Sequence, residues 1–293
     1  MRVTLNMLFG NATRYINNNQ QTYLTLEEQL LSTRRINRPS DDPVGASRAI
    51  ELRKTLATLD QFDRNLSQAQ SFTDQTDVAL INVSDRLQRA IELTTDINGG
   101  TSGPSEYAAA AEELDNILTE VIANANAKIG TRYIFAGYES TTRPFDDLGN
   151  YTGGASGQEI QVEVAQGEYM TINLTGDDAF KSPVDVMQML ADTRDAVASG
   201  DQAAISAQLP LLDDALDHIL AVAADNGARS NRVSIAQEDN VALKESYNNI
   251  LSGTEDLDLT EASARFAEQE RLLEITMAVS GKLLSQNFLD FLD

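Results

Sequence analysis

The sequence predicts a mainly α fold with a small β insertion, in which long coiled-coil-like helices from both termini pack together. Three observations carry that reading. Leu52, Leu59, Leu66, Thr73, Leu80, Leu87 and Thr94 recur every seven residues, the repeat of a helix that buries one seam. Alternation with period two is confined to one stretch, residues 131–182. Tryptophan is absent and aromatics make up 6% of the chain, so the 42% apolar fraction is mostly Leu, Ile, Val and Ala. That composition suits long helices better than a compact enzyme core.

The elements follow in order. A first, more polar helix carries Ile16, Tyr23, Leu26 and Leu30 at helical spacing and is expected to end near Arg34. A polar joint follows, and then Asp42 as N-cap with Pro43 at the first helical position, the pair a helix start prefers. From Pro43 one helix is expected to run to about Asn98, roughly 84 Å at 1.5 Å per residue. Phe62, Ala69, Thr76, Val83, Ala90 and Ile97 fill the second seam position, and Gly99 and Gly100 end the helix. Gly103-Pro104 restarts the chain into an Ala-rich helix with Leu114, Ile117, Val121 and Ile122 on one side, ended near Ile129 by Gly130.

The texture then changes. "TRYIFAGY", then Ile160, Val162 and Val164, then Met170, Ile172 and Leu174 alternate as strands, with a Gly-rich turn at "GNYTGGASG" and a hairpin turn around Gln166-Gly167. After Pro183 a short helix runs through Val197. A long one follows, with Leu212, Leu216, Ile219, Val222, Val233, Ala236, Leu243, Tyr247 and Ile250 on one stripe. The stripe keeps its phase across Gly227, which predicts one helix with a tolerated glycine. A last helix is expected from Leu259 to Leu292, apolar around its whole circumference. Residues 5–31, its obvious partner, offer few large apolar groups, so the terminal pair is expected to gain surface from other chains; the alternative is an ordinary intramolecular core.

Charge and residue chemistry exclude several functions. Lys+Arg 22 against Asp+Glu 45 gives a net charge of −23, which repels nucleic acid and anionic membrane alike and leaves proteins as the expected partners. With no cysteine there are no disulfides and no thiolate metal sites. The N-terminus has no continuous apolar segment of a cleaved signal peptide, and no stretch approaches the ~18 apolar residues that span a bilayer. His218 is the only histidine and has no second ligand beside it, so it reads as a helix-face residue. Asp146-Asp147, Asp177-Asp178 and Asp213-Asp214 are adjacent acids, which on a helix do not share a face and in turns are usually solvated. "GGASG" lacks the strand-then-helix context of a phosphate loop, and "DQTDVALINVSD" lacks the glycine turn and closing glutamate of a calcium loop. No cofactor, metal or catalytic residue is expected.

"RRINRPSDDPVGASRAIE" resembles the N-terminal signature of the flagellin superfamily, and "NRVSIAQEDN" and "LSGTEDLDLTEASARFAEQE" resemble its C-terminal half. "TRYIFAGYESTTRPF" with "GEYMTINLTGDDAF" is similar to the hook-associated protein 3 branch, the hook-filament junction proteins. The resemblance covers nearly the whole chain. It implies a flagellin-like fold and a non-enzymatic, extracellular ring homo-oligomer between hook-associated protein 1 and flagellin. It further implies export by the flagellar type III apparatus without a cleaved signal peptide, with a cytoplasmic chaperone on the C-terminal helix. The alternatives are flagellin itself, the filament subunit, and, from the residues alone, an acid-dependent hydrolase in the β region.

The same resemblance implies layers. Residues 1–34 and 259–293 form the terminal helical domain, 35–42 and 252–258 the spoke linkers, 43–130 and 183–251 the helical bundle, and 131–182 an outer β domain. The expected assembly residues on the terminal helices are Leu5, Phe9, Ile16, Tyr23, Leu30, Phe266, Leu273, Met277, Leu284, Phe288 and Phe291. On the spoke, Arg35, Ile36, Asn37, Asp41 and Asp42 are expected at a subunit interface. There Arg34, Arg35 or Arg38 would face Asp41 or the returning carboxylates Glu255, Asp256 and Asp258. Read without the resemblance, Ser40 and Asp42 cap a helix and the arginines are solvated. Leu52, Leu59, Leu66, Leu80 and Leu87 are the expected core seam. Charge reversal at Arg35 is expected to leave the melting temperature of the single chain unchanged.

Overall fold

The computed structural model describes residues 5–99, 103–153 and 159–292; the side chains of 5, 6, 8 and 283–292 are outside the description. Its helices are α1 (Leu5–Ser32), α2 (Pro43–Gly99), α3 (Pro104–Ala125), α4 (Gly176–Phe180), α5 (Val186–Ser199), α6 (Gln202–Glu255) and α7 (Leu259–Leu292). Its strands are β1 (Lys128–Ile129), β2 (Arg132–Tyr133), β3 (Gln161–Ala165) and β4 (Glu168–Thr171), paired antiparallel as β1-β2 and β3-β4. The expected long helices are present, and α6 runs unbroken through Gly227. The chain divides into two compact units, residues 59–242 and residues 1–58 with 243–293.

In the 59–242 unit, α2 and α6 are antiparallel and share a heptad register. Asn226 donates its side-chain amide to the Thr73 carbonyl at 2.9 Å and Asn240 donates to the Leu59 carbonyl at 3.1 Å. Partners move 14 residues along each helix in opposite senses, two heptads. Leu59, Leu66, Thr73, Leu80, Leu87 and Thr94 on one helix and Ile205, Leu212, Ile219, Asn226, Val233 and Asn240 on the other are all buried. Leu52, on the part of α2 in the other unit, is buried as well. The expected α6 stripe stops there: Leu243 and Ile250 are exposed.

The β region differs from the expected strands for local reasons. α3 ends at Ala125 rather than Ile129, because Asn126 takes over its last turn. The Asn126 amide donates to the Ile122 carbonyl at 2.9 Å and the Phe145 carbonyl at 3.2 Å, and its oxygen accepts the Phe145 N–H at 3.0 Å. Gly130 then turns the β1-β2 hairpin at φ +59°. In "TRYIFAGY" only Arg132 and Tyr133 pair as strand. Ile134, Phe135 and Ala136 are buried in succession, so all three face the core and none alternates outward. A short helix, α4, stands where strand texture was expected, started by Thr175, whose hydroxyl accepts the Asp178 N–H. The β3-β4 hairpin turns at Gln166-Gly167, as expected, with Gly167 at φ +76°.

One apolar core joins these parts. Phe135 and Phe180 meet edge to face at 5.0 Å, Phe145 and Phe180 at 5.7 Å. Val164, Met170 and Ile172 from the hairpin region lie in the same cluster as Leu66, Leu80, Leu114, Leu190 and Ile219. The rest of the loop is held by Asp146, whose carboxylate accepts the N–H groups of Leu148 and Asn150 at 2.9 and 2.8 Å. These bonds, with the Asn150 side chain first, hold its pKa below the ordinary value. Because Leu80 is fully buried at the middle of the seam, Leu80→Ala should lower stability by ~2–5 kcal/mol, read as a shifted denaturant midpoint at constant slope.

Candidate assembly site

The residues expected to assemble lie in the other unit, at the two chain ends and at the joint. α1 and α7 pack antiparallel. Along α1 Ala12, Ile16, Asn19, Tyr23, Leu26 and Leu30 form a half-buried row, joined near the joint by the half-buried Glu27, Glu28, Gln29 and Ser32; along α7 the covered positions are Ala262, Phe266, Gln269, Leu273, Thr276 and Ser280. Both rows step by four and three alternately, the spacing of a two-helix seam. Tyr23 and Phe266 stack with ring centroids 4.8 Å apart. The middle of the seam is polar: Asn19 donates to the Thr276 hydroxyl at 2.8 Å, and Gln269 donates to the Asn19 carbonyl at 3.0 Å.

A single seam leaves the other faces uncovered. Phe9, Tyr15, Leu24 and Leu31 on α1 and Leu272, Ile275, Met277 and Val279 on α7 are exposed. Leu272, Ile275 and Val279, three and four apart, make a second stripe on α7. Of the expected assembly residues, Ile16, Tyr23, Leu30, Phe266 and Leu273 line the α1-α7 seam, and Phe9 and Met277 face outward. The side chains of Leu5, Leu284, Phe288 and Phe291 lie outside the described residues.

The joint ties the outgoing and returning chains. Thr33 ends α1 at φ +57°, a left-handed conformation that strains a β-branched residue. Its carbonyl accepts the Leu257 N–H at 3.1 Å, the Arg35 N–H donates to the Glu255 carbonyl at 2.7 Å, and Arg34 and Asp256 form an antiparallel bridge. The return segment is shorter than the expected 252–258, since α6 continues through Glu255. Asp258 starts α7, accepting the N–H groups of Thr260 and Glu261 at 2.9 and 3.1 Å.

Each joint arginine has a partner within the chain. Glu255, only 6% exposed, receives Arg53 and, at 3.7 Å, Arg34. Arg35 donates to the Thr254 carbonyl at 2.7 Å and to Asp42 at 3.3 Å. Arg38 forks onto both oxygens of Glu28 at 3.1 Å. Asp41 accepts the backbone N–H groups of Asn37 and Arg38 at 3.1 and 2.8 Å, closing the turn. Ile36 is buried beneath it. With Arg35 bound this way, reversing its charge would set a carboxylate against a carbonyl and Asp42. The expectation of an unchanged melting temperature for Arg35→Glu is therefore corrected to a lowered one.

Asp42 is the N-cap of α2, accepting the Gly45 N–H at 2.9 Å. That bond, more than the Arg35 guanidinium, holds its carboxyl below the usual range. Sequence reading named Glu255 only as one of three returning carboxylates, with nothing to single it out, and it missed Gly45, which reads as an ordinary helix glycine. A Cβ at Gly45 would meet Asp42 Oδ2 at 2.5 Å and Ile36 Cδ1 at 2.6 Å.

Comparison with known proteins came to the same helices. Residues 3–140 match the family model for the bacterial flagellin N-terminal helical region. The chain is 31% identical to flagellar hook-associated protein 3 of Escherichia coli strain K12 over 86% of its own length and 77% of that protein. It is 24% identical to flagellin of Bacillus subtilis strain 168 over 98% of its length and 93% of that protein. Among solved structures, Bacillus cereus FlgL superposes with a TM-score of 0.58 at 29% identity, covering 68% of this chain and 99% of that one. Among the described residues no helix is long and apolar enough to cross a membrane.

Two outcomes test the joint. On helix propensity alone Gly45→Ala would stabilise α2 by about 1 kcal/mol; the crowding predicts a net loss of ~1–3 kcal/mol instead, measurable by denaturant titration. Because its folded-state pKa is lowered, the charged Asp42 cap contributes stability above the unfolded-state pKa and loses it as pH falls through the folded-state value. Asp42→Asn, which keeps a side-chain acceptor, should lower stability at neutral pH and flatten this acidic decline in a pH series of melting temperatures.

Proposed function

The chain belongs to the flagellar hook-associated protein 3 family, and on that premise we propose that it is a structural, non-enzymatic part of the bacterial flagellum, a ring of identical copies joining the hook to the flagellin filament. The observation that carries the reading is the uncovered second stripe on the paired end helices, Leu272, Ile275 and Val279 on α7 with Leu24 and Leu31 on α1. Exposed side chains of this size, spaced three and four apart along α7, mark an interaction surface. Copies packed side by side would cover them, and the apolar α7 would need a cytoplasmic export chaperone before secretion. Hook-associated protein 1 on one side, flagellin on the other, an extracellular location and export without a cleaved signal peptide complete the proposal.

In this reading residues 1–34 and 259–293 make the inner layer, the joint is the spoke, and residues 43–130, 183–251 and 131–182 lie outside it. Asn37 and the exposed guanidinium edges of Arg34, Arg35 and Arg38 are the parts of the joint left to meet a neighbouring copy. The closer identity to hook-associated protein 3 than to flagellin favours a junction over a filament subunit. Electron microscopy of cells lacking this protein should find intact hooks and detached filaments; filaments still attached would overturn the junction role. Leu272→Ser with Ile275→Ser should change the stability of the single chain by less than ~0.5 kcal/mol, because both positions are exposed. The same pair should abolish filament attachment in complemented cells, with secretion verified in the medium.

A further inference from the structure

At one level the α2-α6 seam is polar on both helices at once. Above and below, Leu80 with Ile219 and Leu66 with Val233 are apolar layers; between them the seam positions are Thr73, Thr76 and Asn226, all buried. Asn226 donates to the Thr73 carbonyl, adding a bond from outside to an acceptor that already belongs to the α2 ladder. The Thr73 hydroxyl donates back to the Gln70 carbonyl at 3.0 Å and the Thr76 hydroxyl to the Phe72 carbonyl at 2.8 Å. Such back-bonding weakens and bends helices locally.

The neighbours add to this. Gln70 reaches across to the Ser230 hydroxyl at 3.0 Å, while its own side-chain oxygen is buried without a partner, a cost the apolar layers do not carry. Gly227, next to Asn226, has nothing within 4 Å of the place a Cβ would occupy. No close approach requires a glycine there, and alanine would fit, yet glycine makes the turn softer and less stable. Only Phe72, buried on the flank, supplies a large apolar group at this level of α2.

We propose that this layer, Gln70, Thr73 and Thr76 against Asn226, Gly227 and Ser230, is a built-in flexing point of the helix pair, where α2 and α6 open and bend more readily than in the leucine layers on either side. It is independent of the junction reading, but gives it a use: a long helix pair under load can yield here without separating its apolar layers. Amide hydrogen exchange on the full chain tests it. Amides 70–77 and 224–230 should exchange at least about tenfold faster than amides 80–87, 212–219 and 233–239. Gly227→Ala should slow 224–230 about fivefold, the equivalent of its helix propensity, and leave the flanks unchanged. Adding Thr73→Leu with Asn226→Leu should bring the layer to the flanking rates. Uniform exchange along both helices of the unaltered chain, or equal slowing everywhere in Gly227→Ala, would overturn the proposal.

Discussion

Two helices joined along one seam can hide only one stripe of each, and that constraint governs the chain ends. Among the described residues the α1-α7 seam steps through Ala12 to Leu30 on one helix and Ala262 to Ser280 on the other. Its middle is Asn19, Gln269 and Thr276, the last two each hydrogen-bonded to Asn19 but contributing little apolar burial. Tyr23 against Phe266, with Ile16, Leu26, Leu30 and Leu273, supplies most of what the pair buries. The net value of each polar bond is about 1 kcal/mol, while every ordered residue costs more than that in conformational entropy. The pair therefore holds a fixed partner and register but leaves its apolar outer stripes to be covered by something else.

The joint makes this arrangement possible by setting where the end helices begin and stop. The backbone bonds between Thr33 and Leu257 and between Arg35 and Glu255 place the outgoing and returning strands side by side. Glu255 then gathers Arg34 and Arg53 in a nearly water-free position. A buried carboxylate needs such company, since removing it from water uncompensated is costly. The strained Thr33 backbone is held by this set of bonds. Asp42, Gly45 and Ile36 fit together so closely that the cap, the glycine and the buried isoleucine form a single unit.

Much of this was legible in the sequence, because periodicity reports burial directly. The heptad from Leu52 to Thr94, the Asp42-Pro43 start and the uninterrupted α6 follow from residue spacing and capping chemistry alone. The strands around Ile134 were misread because three consecutive apolar residues serve a core reached from one side, and Asn126 ends α3 early through its side chain, which spacing does not encode. The packing of the two end helices was expected, and the seven-residue steps Ile16-Tyr23-Leu30 and Phe266-Leu273-Ser280 mark its seam, but the polar members Asn19 and Gln269 do not show in apolar spacing. At the joint, the basic-then-acidic order correctly suggested ion pairs. It could not tell pairing within the chain from pairing between copies, since Arg34 and Glu255 lie at opposite ends of the sequence and meet only through the fold.

Limited proteolysis of a sedimentation-verified monomer, read by mass spectrometry beside the assembled form, tests the central claim most directly. If the end helices are incompletely covered in a single chain, cleavage should begin within residues 5–32 and 259–282 of the monomer, leave 59–242 intact, and be suppressed on assembly. Equal resistance of the end helices and the 59–242 unit in the verified monomer would contradict the account.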